Sequence, residues 1–158
     1  MPTPTTPLIT PHLWYTEDLF AAIDFYTAIF PDSSVSYRET LGPDIRTAEF
    51  TLGGQRIIAV EAARADFGFT DVFSFMVHCA DQDEVDRYWD RLLADGGSPQ
   101  QCGWLIDRFG LRWQVVPDRL FELQHDPDPK RSAAAMGAMM QMVKLDIAEL
   151  ESAADAAK

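Results

Sequence analysis

The chain has 158 residues, and 13 Lys and Arg stand against 25 Asp and Glu for a formal net charge of -12. That length suits one domain, 1–158, with a core of its own and no need of a disulfide or metal. The acidity excludes nucleic acid and anionic membrane surfaces as partners. Residues 1–7 carry Thr and Pro with no basic or apolar region, and no apolar run is long enough to cross a bilayer, so a cytoplasmic protein is expected.

In chain order, residues 8–15 read as a strand. From Asp18 the period becomes helical, with Leu19, Ala22, Ile23, Tyr26, Ile29 and Phe30 on one face until Pro31-Asp32 stops it. Three β-rich runs follow, about 35–41, 46–52 and 55–61, the last two joined by the hairpin pair Gly53-Gly54. Residues 64–71, with Asp66-Phe67-Gly68-Phe69 inside, read as a loop able to fold over a cavity mouth. A strand at 72–79 precedes a helix at 81–95, whose Val85, Tyr88, Trp89, Leu92 and Leu93 share a face and which Gly96-Gly97 closes. Strand-like pieces come next at about 99–104, 105–108 and 111–117.

The unit has come round twice. Matching Phe25-Tyr26 to Tyr88-Trp89 sets an offset of 63 residues, which also lays Asp18 on Asp81, so 8–61 and 72–117 both read βαβββ. Beyond Asp126-Pro127-Asp128-Pro129 the composition turns helical. Residues 130–144 line up Met136, Met139, Met140 and Val143 on a stripe that fits packing against the sheets or a partner, with Gly137 leaving room for a close approach, and a further helix covers 146–156. The helical extension is therefore 126–156. Periodicity alone fits either a curved eight-stranded sheet or a ferredoxin-like α+β arrangement.

Gln101-Cys102-Gly103-Trp104, then Asp107-Arg108-Phe109-Gly110-Leu111-Arg112-Trp113-Gln114-Val115-Val116-Pro117, decide between them. This segment resembles the closing strands of PhnB-like proteins in the vicinal oxygen chelate superfamily, which includes glyoxalases, ring-cleaving dioxygenases and bleomycin-resistance proteins. The likeness covers about 8–150, the tail included. It implies an α+β fold in which two βαβββ modules form a curved eight-stranded glyoxalase/bleomycin-resistance-type barrel around a cavity, with C-terminal helices outside. It also implies a homodimer, with the barrel closing within one chain or across two. PhnB-like chains often carry the description 3-demethylubiquinone 3-methyltransferase, yet no G-x-G-x-x-G follows a strand here, and no P-loop, G-x-S-x-G or H-E-x-x-H occurs.

In metal-dependent relatives, the resemblance implies, four ligands come from the first and last strands of each half. The corresponding positions here are Pro11 or His12, Glu61, Phe75 as the repeat mate of His12, and Gln114. A neutral amide is a poorer ligand for a divalent cation than the glutamate usual at the last position, and the set falls short of the three good ligands a catalytic site needs. No metal and no cofactor are expected. His12 is either a hydrogen-bonded histidine at a strand start or a pocket residue, and Glu61 is either solvated or, in an apolar cavity, a general base.

The pocket is expected to draw on His12, Trp14, Glu61, Phe75, Trp104, Arg112 and Gln114, with Trp113 under a helix on the opposite side of its strand. The reading is a small-molecule binder that works without a metal. The alternative is a glyoxalase- or dioxygenase-like enzyme, a lyase, isomerase or metalloenzyme, using Glu61 and His12. Cys79 and Cys102 read as small buried thiols, and His78 and His125 as structural or exposed.

Overall fold

The computed structural model describes residues 7–63 and 66–157. Most of the opening Thr/Pro run, Arg64 and Ala65 of the expected loop, and Lys158 lie outside the described residues. The chain divides into two compact units, Met1–Gly68 and Phe69–Lys158.

In the first unit the order is β1 (His12–Tyr15), α1 (Leu19–Ile29), β2 (Ser34–Thr40), β3 (Ile45–Leu52) and β4 (Gln55–Ala62). The sheet order is β1-β4-β3-β2, with β1 parallel to β4 and the other pairs antiparallel. Alternation decides the faces. Leu13 and Tyr15, Ala48, Phe50 and Leu52, and Ile57 and Ala59 are buried on the side that packs against α1, which contributes Leu19, Ala22, Ile23, Tyr26 and Ile29. Each large side chain in this layer stabilises the fold by about 1.5–3 kcal/mol.

The second unit repeats the plan with β5 (Phe75–Cys79), α2 (Gln82–Leu93), β6 (Ser98–Pro99), β7 (Trp104–Ile106) and β8 (Arg112–Pro117), in sheet order β5-β8-β7-β6. Val85, Tyr88, Trp89 and Leu92 of α2 are buried, as are Cys79, Leu105, Trp113 and Val115 of the strands. The signature segment is a turn held by one buried carboxylate. Asp107, 3% exposed, accepts from the backbone N–H of Phe109 and Leu111 and from the indole N–H of Trp113 at 2.8, 3.1 and 2.8 Å.

Three helices complete this unit: α3 (Asp118–Gln124), α4 (Pro129–Met139) and α5 (Ile147–Ala156). Leu120, Leu123, Ala135, Met142, Leu145, Leu150 and Ala154 form a cluster with Val116 of β8. The carbonyls of Met142 and Val143 accept from Cys102 and Gly103 N–H, both at 2.8 Å. Gly103, at φ +80, sits so close that a Cβ would lie 2.9 Å from the Val115 carbonyl oxygen and 3.0 Å from Leu145, so the extension is clamped onto the start of β7.

Several expectations are corrected here. The strands make two four-stranded sheets and are not closed into one eight-stranded barrel. α3 was not foreseen, because Asp118–Gln124 is a single short helix without a cap signal. The methionine stripe breaks: Met136 and Met139 join the cluster, whereas Met140 is 63% and Val143 40% exposed because α4 stops at Met139. Nothing lies within 4 Å of where a Cβ on Gly137 would be, so no described part of this chain packs closely on it. The offset of 63 residues suits the helices, where Ala22 answers Val85 and Tyr26 answers Trp89. It fails in the leading strands, where buried Leu13 and Tyr15 answer Val77 and Cys79, one residue further on.

Candidate functional site

Each sheet has a second face that carries no helix of its own module, and there the polar and aromatic side chains gather. On the first sheet it holds His12 and Trp14 of β1. Register places His12, Ile58, Glu49 and Tyr37 on one rung across four strands, and Trp14, Val60, Thr47 and Glu39 on the next. Trp14 donates its indole N–H to the Ala62 carbonyl at 3.1 Å, and Phe67 meets its ring edge-on at 5.2 Å. Glu49 accepts from Arg56 at 2.6 Å, and that guanidinium holds the carboxyl below the usual glutamate range.

Glu61 is not on this face. It pairs in register with Tyr15, points to the α1 side and is 8% exposed. Its Oε2 accepts from Leu19 N–H at 2.8 Å while Oε1 takes Arg46. The carboxylate thus serves the N-terminus of α1, where Asp18 adopts a left-handed conformation at φ 61 and leaves its own side chain without a capping bond. His12 and Glu61 lie on opposite faces of one sheet. The expectation that they act together as acid and base is therefore not met by this geometry.

On the second sheet the uncovered face carries Trp104 and Ile106 of β7, Arg112 and Gln114 of β8, and Met76 of β5. Trp104, Gln114 and Met76 share a rung, with Gln114 between the indole and the thioether. Gln114 Nε2 lies 2.9 Å from Ser74 Oγ. Arg112 is held by Asp71 at 2.9 Å and by the carbonyls of Phe69 and Gly110 at 3.0 and 2.6 Å, so its charge is already matched. Phe75 lies on the other face, 5.4 Å from Trp113 between ring centroids and beside α2, which removes it from the expected pocket set. Met76 is the residue in the position equivalent to His12.

Sequence reasoning missed Ser74, Met76, Tyr37, Glu49 and Arg56. Alternation from Gln114 through the β5–β8 register finds Met76, but the register itself has no local signal. The two thiols differ: Cys79 is fully buried, and burial together with Glu84 and Asp118 pushes it up to about 12, whereas Cys102 is half-buried. His78, exposed, pairs with Asp118 at 3.2 Å, and His125 hydrogen-bonds the Phe121 carbonyl at 2.7 Å.

A family model described as 3-demethylubiquinone-9 3-methyltransferase matches residues 7–116. The chain belongs to this family. The match bears out the PhnB-like resemblance but ends before α3, so the three C-terminal helices lie beyond it, although the likeness was expected to reach about residue 150. Among solved structures, a PhnB protein from Bacillus cereus is 26% identical with a TM-score of 0.65, covering 70% of this chain and 99% of that one. The fosfomycin resistance protein FosX from Listeria monocytogenes is 18% identical at a TM-score of 0.56, covering 75% and 96%. FosX from Mesorhizobium loti is 15% identical at 0.52, covering 69% and 89%. The FosX likenesses place the family member in the vicinal oxygen chelate fold. No curated protein matches the chain.

One FosX structure is a complex with Mn(II) and sulfate, which raises the question of a metal here. Among the described residues, no three His, Cys, Asp or Glu side chains come together in a way that could hold an ion. The ligand positions carry His12, a glutamate turned toward α1, and a glutamine bound to Ser74. That donor set does not fit a divalent cation.

Proposed function

We propose that this PhnB-like protein binds a small organic molecule on the uncovered face of its second sheet without a metal. The observation that carries the reading is Gln114, a neutral amide where metal-dependent relatives are expected to present a carboxylate, set between Trp104 and Met76. Aromatic and thioether surfaces beside a few fixed polar groups suit a partly apolar guest with one or two polar handles. Within the second sheet the binding residues are then Trp104, Arg112 and Gln114; His12 and Trp14 stand by themselves on the corresponding face of the first sheet. Arg112 shapes the site through the 69–71 segment and does not present free charge.

The single-domain arrangement and the homodimer belong to the same proposal, and sedimentation is expected at twice the 17.7 kDa chain mass. The enzyme alternative has its acid and base on opposite faces of the first sheet. The methyltransferase description of the family finds no nucleotide-cofactor motif in this chain to support it.

Thermal-shift screening of a metabolite and antibiotic library, followed by calorimetry and metal analysis of the purified protein, tests the reading. Saturable stabilisation by an organic compound in metal-free protein is the expected result. A stoichiometric bound metal, or no organic ligand at all, overturns it.

A further inference from the structure

We propose that the Ser74–Gln114 pair reads a neutral group with a carbonyl next to an N–H, such as a primary amide, lactam or imide. This inference rests on the binding reading above and names the chemical class of the ligand. The pair's 2.9 Å hydrogen bond uses one donor and one acceptor of a hydroxyl and an amide. If the amide N–H donates to Ser74, what remains is the Gln114 carbonyl, its second N–H and the Ser74 O–H. If the hydroxyl donates instead, what remains is the Gln114 NH2 and the Ser74 oxygen. Either orientation presents a donor beside an acceptor, the complement of an amide edge.

The flanking groups set the rest of the specificity. Trp104 and Met76 stand on either side of Gln114 on the same rung and offer an indole and a thioether to an apolar ring attached to that edge. Met76 is 39% exposed, so the rung is open to a ligand. Arg112, next but one along β8 on the same face, is matched by Asp71 and two backbone carbonyls, which leaves no uncompensated charge from it to draw in a carboxylate. An anionic edge would meet the Gln114 carbonyl or the Ser74 oxygen lone pairs, and a cationic edge would meet their hydrogens. Both lose one of the two bonds that a neutral amide makes.

Three probes that share a phenyl ring separate the possibilities: benzamide, benzoate and benzamidine, titrated against the full chain by protein-observed NMR. Benzamide is expected to bind about tenfold more tightly than either charged analogue, with shifts at the Trp104 indole and the Gln114 side-chain amide. Gln114→Glu turns the edge into acceptors only and is expected to move the preference to benzamidine. Gln114→Met and Ser74→Ala, each judged by an unchanged far-UV spectrum and melting transition, are expected to abolish the preference for benzamide.

Equal binding of the three probes, or a benzamide preference that survives both Gln114→Met and Ser74→Ala, overturns the inference. Library compounds that bind while benzamide does not sink this inference alone. Failure of every library compound to bind sinks the binding reading beneath it.

Discussion

The two modules share one order of elements, yet they start their helices by different means. α2 is capped locally: Asp81 accepts from Glu84 N–H at 2.9 Å, and Glu84 reaches back to Ala80 N–H at 2.9 Å. α1 has Asp18 at the matching position but in a left-handed conformation, and its first N–H is met by Glu61, 42 residues away on β4. The local device is written in five consecutive residues, Ala80 to Glu84. The remote one exists only once β1, β4 and α1 are assembled, so in the first module a carboxylate that looks catalytic in sequence is committed to the join between helix and sheet.

The largest test of this contrast lies in the second module, where Asp107 ties a turn to Trp113. Asp107→Ala removes the carboxylate that accepts from two backbone N–H groups and a buried indole N–H. It is expected to cost about 3 kcal/mol or more in chemical denaturation. A loss under about 1 kcal/mol would show that water replaces the carboxylate and that the turn does not depend on it.

The remote cap comes next. Glu61→Gln is expected to lose about 1–2 kcal/mol, since it weakens both the Leu19 contact and the Arg46 pair, against about 1 kcal/mol for Asp81→Ala at the local cap. If Asp81→Ala proves the more damaging, the contrast between remote and local capping reverses.

The smallest effect is one of pH. Cys79 is pushed from 9.0 to about 12 in the folded chain. Its neutral form is favoured by the fold, so the associated stability is complete below 9.0 and declines as pH rises toward 12, because the unfolded thiol ionises first. Cys79→Ala should flatten that alkaline decline, by under about 1 kcal/mol at roughly pH 9.5. In the native protein at pH 8, a thiol reagent should leave Cys79 unmodified until the chain unfolds. Rapid labelling of both cysteines would contradict its burial.

The helices, the long hairpins of the first module and the twofold βαβββ plan were legible because amphipathic periods and Gly53-Gly54 act over a few residues. Gln114 was legible as a face residue because alternation runs through its strand, whereas the first strand left Pro11 and His12 as alternatives. What stayed hidden depended on pairing across strands. Phe75 was placed on the wrong side by carrying the helix offset into a strand, and Glu61 by assuming that a strand-end carboxylate faces the pocket. Arg112 was found on the right face, but its engagement by Asp71, 41 residues earlier, has no sequence signature. The family signature from Gln101 to Pro117 was read as a marker of fold and family. In the fold much of it is architecture, with Asp107, Gly103 and Trp113 serving the turn and the clamp, and Gln114 and Trp104 lying on the face that carries no helix.

The one-residue slip between the two copies, taken up where strand passes to helix and where Asp18 turns left-handed, reaches beyond this chain. A duplicated protein that gains or loses a single residue at such a junction keeps its helices in step while swapping inside for outside in the strand before it. Counting from one copy to the other then points to side chains on the wrong surface. In proteins of this build, an equivalence drawn between the halves is safe only after it has been checked strand by strand against which side is buried.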